Sequence, residues 1–420
     1  MTDDVANDEP FAGGTPPLLD GKRIAIVGAG PCGLTLARLL QQAGADVQVF
    51  ELESSAIARN QGGSLDLHED SGQLAIHKAG LYEQFRSLCR PEGQALKVMD
   101  KHGTLFIDLR PTDEADTRPE IDRGTLRGLL IDSLAQDTIQ WDRQLEGVGR
   151  SAEGRLRLIF SEGPHIDADL LFGCDGAWSR VRPFVSATKP YYCGITTIEA
   201  WISSVDTQHP EVSELVGPGT MFATSDDKGV IGQRNGDGNV RLYITLRVPE
   251  DWITRWGIDF NRPELVEQGL LEVFEGWAPE ICELFKAPYI FIARPLYTHP
   301  IKQAAWYARS DVTLLGDAAH VMPFFTGRGV NLAMLDAVEL AESLTSGKFA
   351  AVGEAIQAYE TGMFARMAVE IDDVLSDQDV FLSPVAPTGI EDLLQRRIAK
   401  AQERLAASSE AKSDRESNDA

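Results

Sequence analysis

Between Lys22 and Glu51 the hydrophobic pattern changes period twice. Residues 22–27 (KRIAIV) form a short β-branched run, the texture of a strand buried on both faces. The following LTLARLLQQAG sets Leu36, Ala37 and Leu40 at helical spacing, and Gly44 stands where a glycine ends a helix. Residues 46–51 (DVQVFE) then predict a second strand, completing a βαβ unit within about 30 residues. Further on, the period becomes two. Val240, Leu242, Ile244, Leu246 and Val248 alternate with Arg241, Tyr243, Thr245 and Arg247, which predicts a half-buried antiparallel strand. The NGDGN turn at 235–239 predicts a hairpin with 228–234, and Ile198, Ala200 and Ile202 alternate in the same way. The α/β texture returns at Asp311, where VTLLGDAAH reads as strand then turn. Helices are predicted over 331–344, with Ala333, Ala337, Leu340, Ala341 and Leu344 on one face, and over 354–375, with Ile356, Tyr359, Met363, Met367 and Ile371 in one stripe.

The predicted fold class is α/β. A Rossmann-like domain begins at 22–182 and resumes at 301–345, a mainly antiparallel sheet is inserted at 183–300, and C-terminal helices occupy 346–400. Residues 1–21 read as a flexible leader and 401–420 as a disordered tail. The length of 420 residues accommodates two or three domains, and 43% hydrophobic residues exclude wholesale disorder. The formal charge of −25 argues against nucleic acid or an anionic membrane as partner. It also leans the expected substrate toward neutral or cationic molecules. Five scattered cysteines without a CxxC, and dispersed histidines, predict neither a disulfide framework nor a metal site. The acidic N-terminus lacks a signal-peptide pattern and no run is long enough for a membrane span, so a cytoplasmic, monomeric protein is expected.

Gly28, Gly30 and Gly33 form G-x-G-x-x-G. The first permits a tight turn, the second lets a pyrophosphate approach the backbone, and the third lets helix pack on strand. The helix N-terminus adds free N–H groups and partial positive charge. Glu51, 18 residues after Gly33, ends the second strand, where a carboxylate accepts ribose hydroxyls and favours FAD or NAD over NADP. The competing reading, a glycine turn without a ligand, loses ground to the complete βαβ context. A nicotinamide dehydrogenase would continue with further βαβ units. This chain leaves for an antiparallel sheet and returns with two strand-to-Asp motifs, LLFGCDGAWSRVR at 170–182 and LLGDAAHVMPFFTGRGVN at 314–331. Each ends an apolar strand on a small residue plus Asp, placing a carboxylate for ribityl or ribose hydroxyls. The second adds a glycine-rich backbone and a helix N-terminus, suited to a flavin that becomes anionic on reduction.

GAGPCG, CDGAWSRVR and GDAAHVMPFFTGRGVN together resemble the single-component FAD-dependent aromatic hydroxylases of the para-hydroxybenzoate hydroxylase type, over roughly residues 22–345. A closer resemblance is to the tetracycline-inactivating monooxygenases of the Tet X type, through GGSLDLHEDSGQLAIHKAGL (62–81), PEIDRGTLRGLLIDSL (119–134), IQWDRQL (139–145), the GDAAH block and GKFAAVGEAIQAYETGMF (347–364). The resemblance implies a Rossmann-like FAD-binding domain and an FAD monooxygenase that forms a C4a-hydroperoxyflavin from O2. It would insert one oxygen atom into an aromatic or polycyclic small molecule, with the flavin carrying the chemistry. The implied cofactor contacts are Gly28, Gly30, Pro31, Cys32 and Gly33 in the first loop, then Glu51, Leu52, Arg59, Asp66, Arg123 and Arg127. Asp175, Gly176, Gly316, Asp317, Pro323, Gly327, Gly329, Val330 and Asn331 complete them. Arg123 has a warrant of its own, because a fixed guanidinium can bond flavin or phosphate oxygens bidentately. With one dinucleotide fingerprint in the chain, NADPH or NADH is expected to dock transiently, its phosphates meeting Arg59 or Arg180.

The substrate is then expected between the sheet and the flavin, against Glu199, Trp201, Met221, Phe222, Gln233, Tyr243, Pro323, Phe324 and Gly327. Ordinary core packing is the competing reading for each aromatic and for Met221, and plain surface positions for Gln233 and Arg241. The polar residues that Tet X-type enzymes use for tetracycline align with Glu199, Thr220 and Ser225–Asp226, where the family's Gln, Arg and His are missing. Pro323-Phe324-Phe325 adds an aromatic wall. These replacements should lower affinity for the same ligand, leaving a tetracycline-like compound as one option among aromatic substrates. His320 reads as a structural histidine or an FAD contact, His68 as structural ahead of catalytic, and Asp372, Asp373, Asp377 and Asp379 as a solvated face ahead of a cation site. A flavin oxidase or reductase of the same fold, and a non-catalytic FAD-binding redox sensor, remain the alternatives.

Overall fold

The computed structural model describes residues 15–58, 62–110, 118–300, 305–400 and 403. A five-stranded sheet orders Val312–Leu314, Leu170–Gly173, Ile24–Val27, Val47–Phe50 and Ile139–Gln140 side by side. Every pair in it is parallel, with Ile24 opposite both Leu170 and Val47. All four residues of Ile24–Val27 are buried, as their uninterrupted apolar run predicts for a central parallel strand. The helix Pro31–Gln42 packs on this sheet and ends before Gly44, whose φ of +81° is the left-handed turn expected there.

A seven-stranded sheet forms the second lobe, in the order Phe291–Thr298, Tyr191–Ile202, Val240–Arg247, Lys228–Arg234, Thr220–Ser225, Leu96–Met99 and Leu105–Leu109. The predicted hairpin is present, with Gln233 opposite Arg241 and Ile231 opposite Tyr243. The predicted span of 183–300 is too narrow for this sheet. Leu96–Met99 joins it parallel to Thr220–Ser225, and Leu105–Leu109 extends it beyond. Short helices between 205 and 285 cover one face and enclose a core of Ile198, Ala200, Met221, Leu242, Ile244 and Phe274. The other face looks toward the five-stranded sheet across a cleft.

Of the two long C-terminal helices, Val352–Phe381 ties the lobes together. Gly329–Thr345 packs against Pro31–Gln42, and Val352–Phe381 runs beyond its predicted end at 375. Phe381 and Leu382 meet Val98, Ile195 and Phe325 in a small core at the sheet's edge. The expected leader is only partly free, since Leu19 is fully buried in the main core and Thr15 Oγ1 donates to the Gly44 carbonyl at 2.8 Å. Residues 1–14 and, apart from Glu403, the predicted tail lie outside the described residues. No described helix is long and apolar enough to cross a membrane.

Candidate active site

The cleft between the lobes has a volume of about 1320 Å³ and runs from the first glycine loop to the face of the seven-stranded sheet. At its dinucleotide end the glycines divide their work. A Cβ on Gly33 would stand 2.1 Å from the Gly28 carbonyl oxygen, so this glycine permits the close approach of helix and loop. Gly28 has φ +103°, and a Cβ there would meet the Cys174 carbonyl oxygen at 2.3 Å. A Cβ on Gly30 would meet nothing within 4 Å: its space opens into the cleft, as a cradle for a pyrophosphate requires. Pro31 and Cys32 line the cleft beside it.

Glu51 is buried and fixed by two backbone donors, Ala29 N–H to Oε2 at 2.6 Å and Glu53 N–H to Oε1 at 3.0 Å. Its remaining lone pairs are available to ribose hydroxyls. Leu52, 67% exposed, forms the rim above it. Arg123 begins the helix Arg123–Asp132, and its half-buried guanidinium has no hydrogen-bond or ion-pair partner among the described residues. A half-buried cation with no hydrogen-bonded partner among the described residues suits an anionic ligand. Asp317 follows Gly316 beyond the strand Val312–Leu314 and opens its carboxylate to the cleft with no hydrogen-bond donor among the described residues. The Arg123 guanidinium, the Asp317 carboxylate and the open backbone at Gly30 along one channel fit FAD.

Several expected contacts are committed to bonds within the protein; of these, Arg127, Asp175 and Gly176 still line the cleft, whereas Gly316 and Asn331 do not. Arg127 donates to the Ala29 carbonyl at 2.8 Å and pairs with Glu53 at 2.8 Å, so it braces the glycine loop from a position 3% exposed. Asn331 is fully buried, donating to Asp66 O at 2.8 Å and accepting from His68 N–H at 2.8 Å; it holds the Asp66 segment instead of facing the cleft. Gly316 donates its N–H to Asp336 at 2.9 Å, behind the wall. Asp175 bonds its own loop, accepting from Arg180 N–H at 2.6 Å, and burial raises its pKa. Gly176 turns that loop at φ +80°. Asp66, Pro323, Gly327, Gly329 and Val330 line the cleft, whereas Arg59 lies outside the described residues.

His320 is structural. Its Nε2 lies 2.6 Å from Asp336 Oδ2, and Arg366 reaches the other oxygen at 2.6 Å, all within the core. Burial alone would raise the Asp336 pKa, but His320, Arg366 and the Gly316 N–H hold it down. The acidic run is partly ion-paired, through Arg397 to Asp377, Lys400 to Asp373 and Arg247 to Asp379.

At the substrate end, Glu199, Trp201, Phe222, Gln233, Tyr243, Phe324 and Gly327 all line the cleft. Met221 does not. It is fully buried in the core on the far side of the sheet, because neighbouring strand residues point to opposite faces and Phe222 takes the cleft side. Gln233 clamps Ser64, accepting from its N–H at 2.9 Å and donating to its carbonyl at 3.2 Å. Glu199 is shared by Arg241 at 3.2 Å and Arg294 at 2.9 Å, and the Arg241 guanidinium lies 3.7 Å from the Trp201 ring centre. Tyr243 and Phe324 stack obliquely at 5.6 Å. The sequence reading missed Arg294, Arg90 and Glu120 in this region. For Glu120 and Arg90 the available signal was weak, since their partners lie far away along the chain. Among the described residues no group of three or more His, Cys, Asp or Glu is gathered for a metal.

Residues 22–368 match the FAD binding domain family, and the chain belongs to it. It is an FAD-dependent monooxygenase. The monooxygenase penA of Penicillium thymicola is 32% identical over 381 residues, 79% of this chain and 86% of that one. The solved structure of Klebsiella pneumoniae HpxO complexed with FAD and uric acid shares the fold, with a TM-score of 0.71, 20% identity, and coverage of 92% of this chain and 93% of that one. The tetracycline destructase Tet(51) superposes with a TM-score of 0.69 at 17% identity, covering 92% and 97%.

Proposed function

We propose that this monooxygenase takes electrons from NADPH or NADH and inserts one atom of O2 into an aromatic or polycyclic small molecule. The observation that carries the reading is the single cleft joining the glycine cradle at Gly30 to the aromatic wall of Trp201, Phe222, Tyr243 and Phe324. Glu51 and Asp317 would hold the sugar and ribityl hydroxyls, Arg123 a phosphate or ring oxygen, and Gly327 to Val330 the ring edge. Bound FAD would supply the oxygen activation; the chain supplies position and dryness around it. The exposed Arg180 at the rim is available to nicotinamide phosphates.

Tetracycline is a less favoured substrate. Glu199, which aligns with a tetracycline-binding position of the Tet X type, is occupied by two arginines, and Gln233 by Ser64. A planar phenolic or keto-aromatic ring fits the oblique aromatic pair better. The test is to purify the protein, record its flavin spectrum, and follow NADPH and NADH oxidation over phenolic, purine and tetracycline ligands. The expected outcome is a yellow protein and a product one oxygen heavier with an aromatic ligand. Peroxide in stoichiometric yield with every ligand would assign an oxidase instead.

A further inference from the structure

Two carboxylates face each other in the substrate part of the cleft. The short strands Ser64–Asp66 and Glu120–Asp122 pair antiparallel, with Asp66 directly opposite Glu120, and both residues line the cleft. Two carboxyl groups so placed cannot both carry full charge cheaply. Their surroundings decide which one keeps a proton.

Asp66 is supported as the anion. Its Oδ2 lies 3.0 Å from His68 Nε2 and 3.9 Å from Arg118. His68 Nδ1 lies 3.2 Å from Arg328 Nη1, and a guanidinium has no acceptor to offer. Nδ1 therefore accepts, and Nε2 donates to Asp66. Burial alone would raise the Asp66 pKa, yet His68 and Arg118 bring it down.

Glu120 has the opposite surroundings. The Gly93 turn packs on its side-chain stem without bringing a charge. Asp122 neighbours it on its own strand, and Arg90, whose charge lowers the Glu120 pKa, spends its hydrogen bonds on Asp122 at 3.0 Å and Ser64 Oγ at 2.9 Å. Since Arg90 donates to Ser64 Oγ, that hydroxyl turns its own proton to Glu120 Oε2. No donor reaches Glu120 Oε1 among the described residues. Burial first, then the Asp66 charge, pushes the Glu120 pKa up to about 8.

We propose that Glu120 is the proton donor of the substrate cleft, offering a carboxyl proton from Oε1 to a phenolate or enolate oxygen of the substrate. The O–H bond at Oε1 breaks as a new O–H bond forms on the substrate oxygen. Glu120 is left as a carboxylate until water at the cleft mouth returns a proton, and no electrons change hands. The proposal rests on the monooxygenase reading for its substrate, but the state of the carboxyl can be read without turnover.

Infrared titration of the purified protein, compared with Glu120→Gln, should show a protonated carboxyl band lost with a midpoint near pH 8 in the wild type alone. 4-Nitrophenol, whose bound anion is visible by absorbance, should bind at least tenfold more weakly above that midpoint than below it. Glu120→Gln should abolish this dependence, and Glu120→Asp should retain a break at a shifted pH. With an accepted substrate, Glu120→Gln should reduce product formation by about 100-fold or more while the protein keeps its flavin. A band titrating in the ordinary carboxylate range, no 4-nitrophenol binding, or equal binding on both sides of pH 8 would overturn the proposal. A protein that takes up no flavin yet shows the band near pH 8 would instead count against the monooxygenase reading.

Discussion

Glu51 has a structural role beside the ribose-binding role proposed for it. Its two oxygens take separate backbone donors, from Ala29 and Glu53, and thereby fix the glycine loop relative to the second strand. A glutamine has only one acceptor oxygen, so Glu51→Gln leaves one of those N–H groups facing an NH2. An unpaired buried donor costs about 1–3 kcal/mol. We expect Glu51→Gln to weaken FAD binding by about 10- to 100-fold, measured by flavin fluorescence titration; unchanged affinity would contradict the assigned role. Glu120 acts on stability with the opposite sign. Its folded pKa of about 8 lies above the ordinary value of 4.5, so the folded protein retains a proton that the unfolded chain releases. Stability should be greatest below the unfolded pKa and decline as pH rises from about 4.5 to 8. Glu120→Gln should remove that decline and gain about 2 kcal/mol at pH 8 in denaturant melts, a figure reduced because the carboxyl is partly open to water. A variant that loses stability as steeply as wild type over this window would disprove the assignment.

Among the elements, the βαβ unit makes the sharpest prediction because its glycines face different surroundings. Gly33→Ala would drive a methyl into the Gly28 carbonyl, whereas Gly30→Ala adds a methyl to open space. The first should lower the melting temperature strongly. The second should leave the flavin-free protein within about 0.5 kcal/mol of wild type while weakening FAD about tenfold or more. Equal effects on stability would remove the pyrophosphate cradle from the argument. This unit was legible in the sequence because strand, turn and helix are contiguous, and their glycines and apolar positions carry the pattern locally. The hairpin ending at Val240–Arg247 was legible for the same reason. What stayed hidden depends on distant register. Leu96–Met99 joins the second sheet through Thr220–Ser225, more than a hundred residues away, and Asp66 meets Glu120 across a similarly non-local pair. The last turns of Val352–Phe381 escaped because buried polar residues interrupt the stripe: Asp377 is held by Arg397, and Gln378 donates to Cys193 O at 3.1 Å. The parity of strand 220–225 decided Met221. Composition supplied a plausible lining residue, but only the register told which neighbour faces the cleft.

For the whole molecule, net charge and cleft charge have different signs. The chain carries −25, yet among the described residues the cleft is lined by eight arginines and six carboxylates, of which Glu120, Asp175 and Asp317 have raised pKa values. The lean toward cationic substrates drawn from overall composition therefore does not describe the place where ligands bind. An approaching FAD first meets a repulsive far field and then an attractive near field. Salt separates the two, because the Debye length falls from about 30 Å at 0.01 M to about 8 Å at 0.15 M, while contacts inside the cleft are screened much less. Adding salt over that range should consequently speed FAD association, by roughly two- to fivefold, where a basic nucleotide-binding surface would be slowed. Stopped-flow flavin quenching at a series of ionic strengths measures this directly. Reversing an exposed carboxylate far from the cleft, as in Glu272→Lys on the helix Pro263–Val273, should raise the low-salt rate and flatten its salt dependence. A rate that falls steadily with salt would mean that the arginine lining, not the acidic body, governs the approach as well as the landing.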